Sequence, residues 1–309
     1  MCRKFMRFHF YLFILGIGAI YAHDARAQTG SNATIEQITA RTFFSGPDTI
    51  PLAEKILLTG RDDLILLRKP KNFIVYGGAA YGFTDNVFLS DAVKQSDRYF
   101  DAQAGLNWST VIARRVLAYI GGGVRTRHYD DQEALDYDLL ENYAGLNWPS
   151  RWGHAKLRYN NAIIFTDNFD TQSLTLSSLA AEFAKPWRVG RGFSVEPFVQ
   201  GTYTVAEPRD FDAVEGAAGM RANYRLTRNQ TVKASAAAYA KNYDDFFPDI
   251  FNEARRDRGY RFSAGWSWTP RAFVSADFSV NYTENRSSLA PYDYHANMLT
   301  PRVDLKFRF

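Results

Sequence analysis

The sequence predicts an all-β fold: a transmembrane, antiparallel, up-and-down β-barrel of about twelve strands, built from residues 72–309. Three observations predict it. Segments of about ten residues alternate apolar and polar side chains, long and short connections follow each other in turn, and tryptophans precede short connections. A soluble β-sandwich also alternates along its strands, but it has no reason to alternate the lengths of its connections.

The predicted strands have one apolar and one polar face, because side chains of a strand point alternately to its two faces. The clearest strand is residues 99–108. One face carries Phe100, Ala102, Ala104, Leu106 and Trp108, and the other carries Tyr99, Asp101, Gln103, Gly105 and Asn107. Segments 155–165, 272–282 and 302–309 repeat the pattern. Segments 174–183 and 232–243 alternate poorly, which leaves their register open.

The connections alternate between long acidic segments and short basic ones. The long ones are 83–97, 129–136, 166–171, 208–212 and 244–257, and the short ones are 114–115, 149–152, 188–192, 227–229 and 270–271. This alternation predicts outer loops at one end, with periplasmic turns and both termini at the other. The acidic side chains of the outer loops are either solvated or ligands for divalent cations that bridge lipid headgroups.

Aromatic residues mark the ends of the predicted barrel. The chain has 24 Phe, 18 Tyr and 6 Trp. Four tryptophans that close strands before short connections predict a girdle at one membrane interface, Trp108, Trp148, Trp187 and Trp268. The sequence ends in Phe309 on an amphipathic last strand, which resembles the C-terminal signal that barrel-assembly machinery recognises in outer-membrane proteins.

The N-terminal residues predict export. A basic start (Arg3, Lys4, Arg7), an apolar stretch over 8–22 and the small-x-small pattern Ala25–Ala27 predict a cleaved signal peptide at residues 1–27. An uncleaved membrane anchor is the alternative. Residues 28–71 lack the strand alternation and predict a periplasmic N-terminal segment, either a tail or a plug in the barrel. The single cysteine, Cys2, falls within the signal peptide, so the mature chain has no thiol chemistry.

Candidate catalytic groups are sparse, and the sequence predicts a protein that is not an enzyme. The predicted mature chain has three histidines, His128, His154 and His295, and no G-x-S-x-G, H-E-x-x-H or Walker motif. His128 stands near Asp130 and Asp131, but proximity along the chain does not establish a base with its orienting partner. Neither a cofactor nor a metal site is predicted.

The polar face of the strands predicts which residues line the lumen. The candidates are Arg125, Arg127, Glu141, Lys156, Arg158, Arg221, Lys233, Arg261 and Asp277, joined on the same face by Asp101, Glu196, Glu215, Lys241, Arg302, Asp304, Lys306 and Arg308. These are eleven basic and six acidic residues. They predict either a pore that favours anions or a network of ion pairs that fills the barrel. The inward Tyr119, Tyr143 and Tyr239 could stack on a sugar or fill space.

Two short segments occur twice. Ala104–Trp108 recurs as Ala144–Trp148, and Phe83–Asn86 recurs as Phe165–Asn168, which indicates duplicated hairpin units.

A family resemblance lies in the first hairpin. Residues 81–88 (YGFTDNVF), Ser96-Asp97 and Ala104-Gly105-Leu106 resemble the β-barrel porin type 2 family of outer-membrane proteins. The resemblance covers mainly residues 73–110, with an echo at 165–170. It implies a passive channel or an accessory to envelope-polysaccharide export. It carries over no functional residues, because the family has no established site motif.

The sequence therefore predicts an outer-membrane protein of a Gram-negative bacterium that forms a passive, mildly anion-preferring channel for small hydrophilic solutes. The alternative is a closed structural or adhesive barrel whose loops bind a partner. The apolar run Phe246–Phe251 is then either a contact patch or, folded inward, a constriction. Expected partners are outer-membrane lipid, lipopolysaccharide and the barrel-assembly machinery. The net charge of +4 and the lack of a basic stripe predict no nucleic-acid binding. Nothing in the sequence predicts the oligomeric state.

Overall fold

The computed structural model describes residues 72–91, 94–113, 116–166, 169–244 and 254–309. The predicted signal peptide (1–27), the predicted N-terminal segment (28–71) and the apolar run 246–251 lie outside the described residues. Across the described ranges, no helix is long and apolar enough to cross a membrane.

The described chain is built almost entirely of long strands. In chain order they are β1 (Phe73–Thr84), β2 (Asp97–Ala113), β3 (Val116–Tyr129), β4 (Tyr137–Ser150), β5 (Gly153–Thr166), β6 (Thr171–Ala184), β7 (Trp187–Gly190), β8 (Phe193–Glu207), β9 (Ala213–Arg225), β10 (Gln230–Tyr243), β11 (Arg256–Arg271), β12 (Val274–Ser287) and β13 (Tyr294–Arg308). Three single-turn 3₁₀ helices lie between strands, at Glu133–Leu135, Arg209–Phe211 and Ala290–Tyr292.

Twelve of these strands close into one antiparallel barrel. Consecutive strands pair, except that β6 pairs with β8 instead of β7, and β1 pairs with β13 to complete the ring. The short β7 continues the line of β6, because Ala184 faces Phe198 and Trp187 faces Val195 in one unbroken register. Pro186, which has no N–H to give the ladder, lies at the break. The predicted up-and-down barrel of about twelve strands is confirmed, including strands in the two poorly alternating segments.

The barrel is apolar outside and polar inside. On β2 the side chains of Phe100, Leu106 and Trp108 are exposed to the surroundings, whereas Asp101 and Asn107 are buried in the interior. A continuous belt of exposed apolar residues is what a lipid-facing barrel presents, and it is the reverse of the apolar interior of a soluble sandwich. The sequence alternation therefore has the orientation of a membrane barrel.

The connections separate into two ends, as the sequence predicts. The long connections, with the three 3₁₀ helices, lie at one end, which we call the outer end. The predicted turn at 270–271 is misplaced, because it lies in β11, and the predicted connection 188–192 begins within β7, so Trp187 opens a strand rather than closing one. β2 continues to Ala113 and β11 to Arg271, so Trp108 and Trp268 lie within strands rather than at their ends. The physical reason is that these hairpins keep their backbone pairing beyond the girdle, as the β-bulges near their ends show.

The repeated pentapeptide occupies equivalent positions in β2 and β4. In each copy the glycine faces inward beneath a tyrosine ring, with Tyr76 over Gly105 and Tyr119 over Gly145. A Cβ atom at Gly145 would also lie 2.8 Å from the backbone oxygen of Leu157. The glycine is therefore required by close approach of a ring and a neighbouring strand.

Replacing Gly145 with alanine should destabilise the barrel by about 1–3 kcal/mol, because the added methyl group overpacks this contact. The measurement is the urea midpoint of unfolding from lipid vesicles. Gly216→Ala is the matched control, since nothing lies within 4 Å of a Cβ at Gly216. Equal midpoints for the two variants would contradict the packing argument.

Candidate functional site

The predicted lumen residues all lie at inward positions of their strands, and most of their charges are paired. On the wall formed by β2 and β3, Arg127 Nη2 donates to Asp101 Oδ2 at 2.5 Å. Arg125 approaches the other oxygen of Asp101 at 3.6 Å and donates to Gln103 at 3.0 Å. The Arg127 guanidinium also lies 4.2 Å from the ring centroid of Tyr99. One buried carboxylate therefore holds two arginines against the wall.

A second group joins four strands. Arg221 on β9 donates to Glu182 on β6 at 2.5 and 3.1 Å and to Glu196 on β8 at 2.9 Å. Lys156 on β5 lies 3.5 Å from Glu182. Glu182 was missed as a lumen residue in the sequence, because its segment alternates poorly. It is nevertheless the carboxylate that the two cations share.

A third group lies between β9 and β12. Arg261 donates to both oxygens of Glu215, at 2.8 and 3.1 Å, and its guanidinium lies 3.8 Å from the ring centroid of Tyr239. The Tyr239 hydroxyl donates to Asn285 at 2.7 Å. This inward tyrosine therefore packs on a cation within the wall.

The other predicted lumen residues have mixed surroundings. Arg158 lies 5.2 Å from the ring centroid of Tyr143, and Arg302 donates to Asp304 at 2.8 Å. Glu141, Lys233 and Asp277 also occupy inward positions. Further inward positions belong to Lys241, Lys306 and Arg308.

Three inward carboxylates were absent from the sequence prediction, Asp97, Glu182 and Asp257. They raise the acidic count on the described strands from six to nine against the eleven basic residues. Arg188 and Arg225 also occupy inward positions and raise the basic count to thirteen, so the excess of positive charge falls from five to four. The geometry favours the network of ion pairs over a strongly basic pore wall.

The outer mouth is filled by apolar side chains, which we call the outer seal. Its loop members are Phe211, between β8 and β9, and Leu289, between β12 and β13. Its strand members project inward from one half of the barrel: Tyr137, Leu139, Ala162, Ile164, Leu174, Leu176, Ala206, Ala213 and Tyr243. In the ring of twelve strands β5 lies opposite β12, so the outer seal spans the lumen from wall to wall.

Two smaller apolar clusters adjoin the mouth. Val87 and Leu135 pack with Tyr99 and Tyr129, and Leu89 packs with residues at the start of β13. Val87 and Leu135 are almost fully buried although they lie in outer connections. Four of the outer connections therefore contribute an apolar side chain to the closure, counting those of the outer seal. The sequence pattern did not predict this, because loop residues have no period that gives their direction.

A buried arginine ties two outer connections together beside the outer seal. Arg255 is fully buried, and its guanidinium lies 4.5 Å from the ring centroid of Tyr243 and 3.9 Å from that of Tyr292. It donates to both oxygens of Asp257, at 3.0 and 2.6 Å. Asn285 donates to the backbone oxygen of Tyr292 at 2.8 Å. The β12–β13 connection is thus held to the start of β11.

Aspartates of the outer connections hold the backbone of the loops. Asp136, Asp212 and Asp293 each follow a 3₁₀ helix and accept a backbone N–H from the preceding strand, at 2.8, 2.5 and 2.5 Å. Asp97 accepts the N–H of Gln132 at 2.9 Å. These carboxylates are therefore part of the loop structure. Among the described residues, no group of three or more histidines and carboxylates is arranged to hold a metal ion.

Asp85, in the β1–β2 connection, makes the loop sensitive to acid. It accepts the backbone and side-chain N–H groups of Asn297 at 2.7 and 2.8 Å, and Lys94 lies 3.6 Å away. Partial burial raises the pKa of the Asp85 carboxyl, but the bonds from Asn297 and the charge of Lys94 outweigh it, so the pKa is lowered.

We expect acid to loosen this loop. Because the folded-state pKa is lowered, the stabilisation is present above the ordinary carboxyl pKa and is lost as the pH falls through the folded value. Hydrogen exchange at Asn297 should therefore speed up below about pH 4 in the native chain. In Asp85→Asn, exchange should be fast at all pH values. If exchange at Asn297 still speeds up at low pH in this variant, a group other than Asp85 causes the acid sensitivity.

The four predicted girdle tryptophans, Trp108, Trp148, Trp187 and Trp268, are outward-facing and exposed near the end with short turns. Trp266 stacks on Trp268 with ring centroids 6.5 Å apart. Phe309 donates its N–H to the backbone oxygen of Phe73 at 2.9 Å, so the last residue extends the β1–β13 closure. Its role as an assembly signal stays a prediction.

The histidines have partners that chain proximity did not identify. His128 Nδ1 lies 2.9 Å from Asp136 Oδ2, so its carboxylate partner is Asp136 rather than Asp130 or Asp131. His154 is buried in the lumen, 3.9 Å from Glu196. His295, on the outer rim, pairs with Asp91 at 3.0 Å.

No family model matches the chain, and a search of curated proteins found no match. The resemblance to the β-barrel porin type 2 family therefore stays a prediction. Solved structures do match. The translocator domain of the autotransporter NalP from Neisseria meningitidis is 13% identical, with a TM-score of 0.50 over 90% of this chain and 98% of that one.

Two further matches are an outer membrane channel from Pseudomonas putida F1 and the KdgM porin in complex with disordered oligogalacturonate. The channel is 11% identical, with a TM-score of 0.49 over 76% of this chain and 95% of that one. KdgM is 8% identical, with a TM-score of 0.40 over 75% and 99%. At such identities the likeness shows the fold alone, that of an outer-membrane β-barrel.

Proposed function

We propose that this chain is a gated channel of a Gram-negative outer membrane: a passive conduit for small hydrophilic solutes that is closed at its outer mouth in the described state. The observation that carries the proposal is the sequence of two regions along the axis of the lumen. A wall of charged and hydrogen-bonding residues leads up to a cross-lumen apolar seal.

The charged wall supports a role in passage. A barrel that served only as a rigid anchor could fill its interior with apolar packing, since replacing buried ion pairs by apolar residues is often neutral or stabilising. Instead, inward Arg, Lys, Asp and Glu recur on most strands. Such a wall hydrates a pore and offers polar contacts to a hydrophilic solute.

The outer seal supports a gate. Hydrophobic constrictions stop ion flow by expelling water, and they open when their side chains move apart. Phe211 and Leu289 lie on outer connections rather than on strands, so they can withdraw without breaking the barrel. Arg255 then acts as the latch, because it joins the β12–β13 connection to β11.

The ion preference of the open pore should be weak. Six of the inward cations are held by carboxylates, and the excess is four positive charges on the described strands. Paired charges present little net field to a passing ion. The expected anion preference is therefore weaker than the mild preference predicted from the sequence. Passage is diffusion, and the solute undergoes no reaction.

Current through a planar bilayer tests the proposal. The refolded full chain should show rare, brief openings under a salt gradient, with a reversal potential only slightly on the anion side of zero. Continuous large conductance would overturn the gate. Complete silence from a heat-modifiable, folded barrel would overturn the channel and favour the alternative, a closed structural barrel whose loops bind a partner.

A further inference from the structure

A threonine, a histidine and an aspartate lie in line on the outside of the barrel, at its outer rim. Thr126 and His128 are alternate residues of β3 and point to the outward face, and Asp136 immediately precedes β4. His128 Nε2 lies 3.0 Å from Thr126 Oγ1, and His128 Nδ1 lies 2.9 Å from Asp136 Oδ2. This is the relation of a hydroxyl nucleophile, its base and the group that orients the base.

The two contacts of His128 match one arrangement of protons that such chemistry needs. An ionised Asp136 can only accept, so Nδ1 of His128 carries the proton and Nε2 is left as an acceptor for the Thr126 hydroxyl. Asp136 is itself held, because its other oxygen accepts the backbone N–H of Tyr129 at 2.8 Å. The imidazole is therefore set in the orientation in which it takes a proton from Thr126.

The surroundings place this group where a lipid ester would lie. Below it the outward face is apolar, with Phe100 beside His128 in register and Val124 next along β3. Above it begins the acidic outer connection at Asp130. The carbonyl esters of a bilayer lie at this boundary between acyl chains and headgroups. His128 is 46% exposed, so its ring is accessible from the membrane side.

The outward residues beside Thr126 on the two neighbouring strands are small. Ala102 is the register partner of Thr126 on β2, and Ala79 on β1 is the next residue in the same row. Phe100, on the side of the outer end, is the exposed aromatic neighbour of this row. The Thr126 hydroxyl is therefore not flanked by bulky side chains along this row.

We propose that Thr126, His128 and Asp136 form a hydrolytic site for the long-chain acyl esters of outer-leaflet lipids. The site is separate from the lumen and does not depend on the channel proposal. It departs from the sequence-based prediction of a protein that is not an enzyme. Thr126 and His128 are its catalytic residues, and Asp136 is a positioning residue.

The reaction balances with water as the only co-reactant. Thr126 Oγ bonds to the ester carbonyl carbon while its proton passes to His128 Nε2. The bond between that carbon and the alcohol oxygen breaks, and the imidazolium returns the proton to the leaving alkoxide. Water, deprotonated by His128, then cleaves the acyl-threonine ester. It releases the fatty acid and restores the hydroxyl.

The test uses the folded full chain in vesicles, with release of fatty acid measured by mass spectrometry. One arm contains phosphatidylethanolamine alone and the other adds lipopolysaccharide, so that the two sources of acyl ester are distinguished. We expect release in at least one arm, and covalent labelling of Thr126 by a long-chain fluorophosphonate. Thr126→Val and His128→Gln should lower the rate by about 10³-fold or more, whereas Thr126→Ser should keep it.

Two variants separate chemistry from loop structure. Asp136→Asn can still accept the Tyr129 N–H, but its amide drives the imidazole into the wrong tautomer. The kcat should fall with little change in KM or in heat-modifiability. His295→Gln removes a histidine with a similar aspartate partner, whose Nε2 contacts Lys94 rather than a threonine, and it should leave the rate unchanged. The proposal fails if the folded chain releases no fatty acid and takes no label. It also fails if Thr126→Val retains the rate, since the activity would then be a contaminant.

Discussion

Replacing both Phe211 and Leu289 with serine should turn a mostly silent barrel into a conducting one. These are the two loop residues of the outer seal, and both are almost fully buried. Truncating one buried large apolar side chain commonly removes about 2–5 kcal/mol of packing. If that packing favours the closed over the open arrangement, the open fraction should rise by at least about tenfold, since each 1.4 kcal/mol is a factor of ten.

Single-channel recording measures this directly, as the fraction of time in the open level at fixed voltage. The matched control is Phe273→Ser with Leu226→Ser. It makes the same two changes at the end with short turns, where both side chains are exposed. That control should leave the open fraction unchanged. If the mouth variant folds, is heat-modifiable and remains as silent as the native chain, the outer seal is not the gate.

The gate prediction also distinguishes the outer seal from the latch. Arg255→Gln removes the charge from a fully buried group that packs between two tyrosine rings, while the apolar residues stay in place. Longer openings with an unchanged conductance level are then expected. The mouth variant should instead raise the open fraction and the conductance level together, because it also widens the constriction.

The architecture could be predicted from the sequence because strand alternation is a direct physical signal. Along β2 the apolar and polar sets are separated residue by residue, and the structure places them on opposite faces. Alternating connection lengths gave the two ends of the barrel. The weak alternation of β6 hid Glu182, because inward Ala180 and Ala184 flank it and give that face no polar pattern.

The closure of the mouth could not be predicted from the sequence. Val87, Leu135, Phe211 and Leu289 lie in connections, where no repeating backbone geometry fixes the direction of a side chain. The ion pairs could not be predicted either, because they depend on the register between neighbouring strands. Asp101 could be assigned to the lumen because it lies on the polar face of the alternating strand. Its bond to Arg127, however, follows only from the β2–β3 register.

The carboxylate partner of His128 shows the limit of chain proximity. Asp130 and Asp131 are nearer along the chain, but Asp136 meets the ring because the β3–β4 connection folds back through a 3₁₀ helix. The pairing of β3 with β4 identifies Asp136 as the partner of His128. Once Arg127 is paired with Tyr137, residue 136 stands next to residue 128.

Breaking the ion pair between Arg261 and Glu215 should have the largest effect on stability. Glu215→Gln leaves a guanidinium that is 9% exposed without its carboxylate. Removing one partner of a buried pair typically destabilises a protein by about 3–5 kcal/mol. Urea unfolding from lipid vesicles measures the loss. The control is Glu284→Gln, whose partner Arg286 is 74% exposed, so the midpoint of this variant should stay close to that of the native chain.

The double variant Glu215→Leu with Arg261→Met shows what the pair is for. Replacing a whole buried pair by apolar residues of similar volume is often neutral or stabilising. If the double variant recovers the native midpoint, stability does not require the pair. Its retention is then explained by the polar, hydrated wall that passage through the lumen needs. If the double variant remains destabilised, the two hydrogen bonds from Arg261 to Glu215 stabilise the wall between β9 and β11, and the charge itself is secondary.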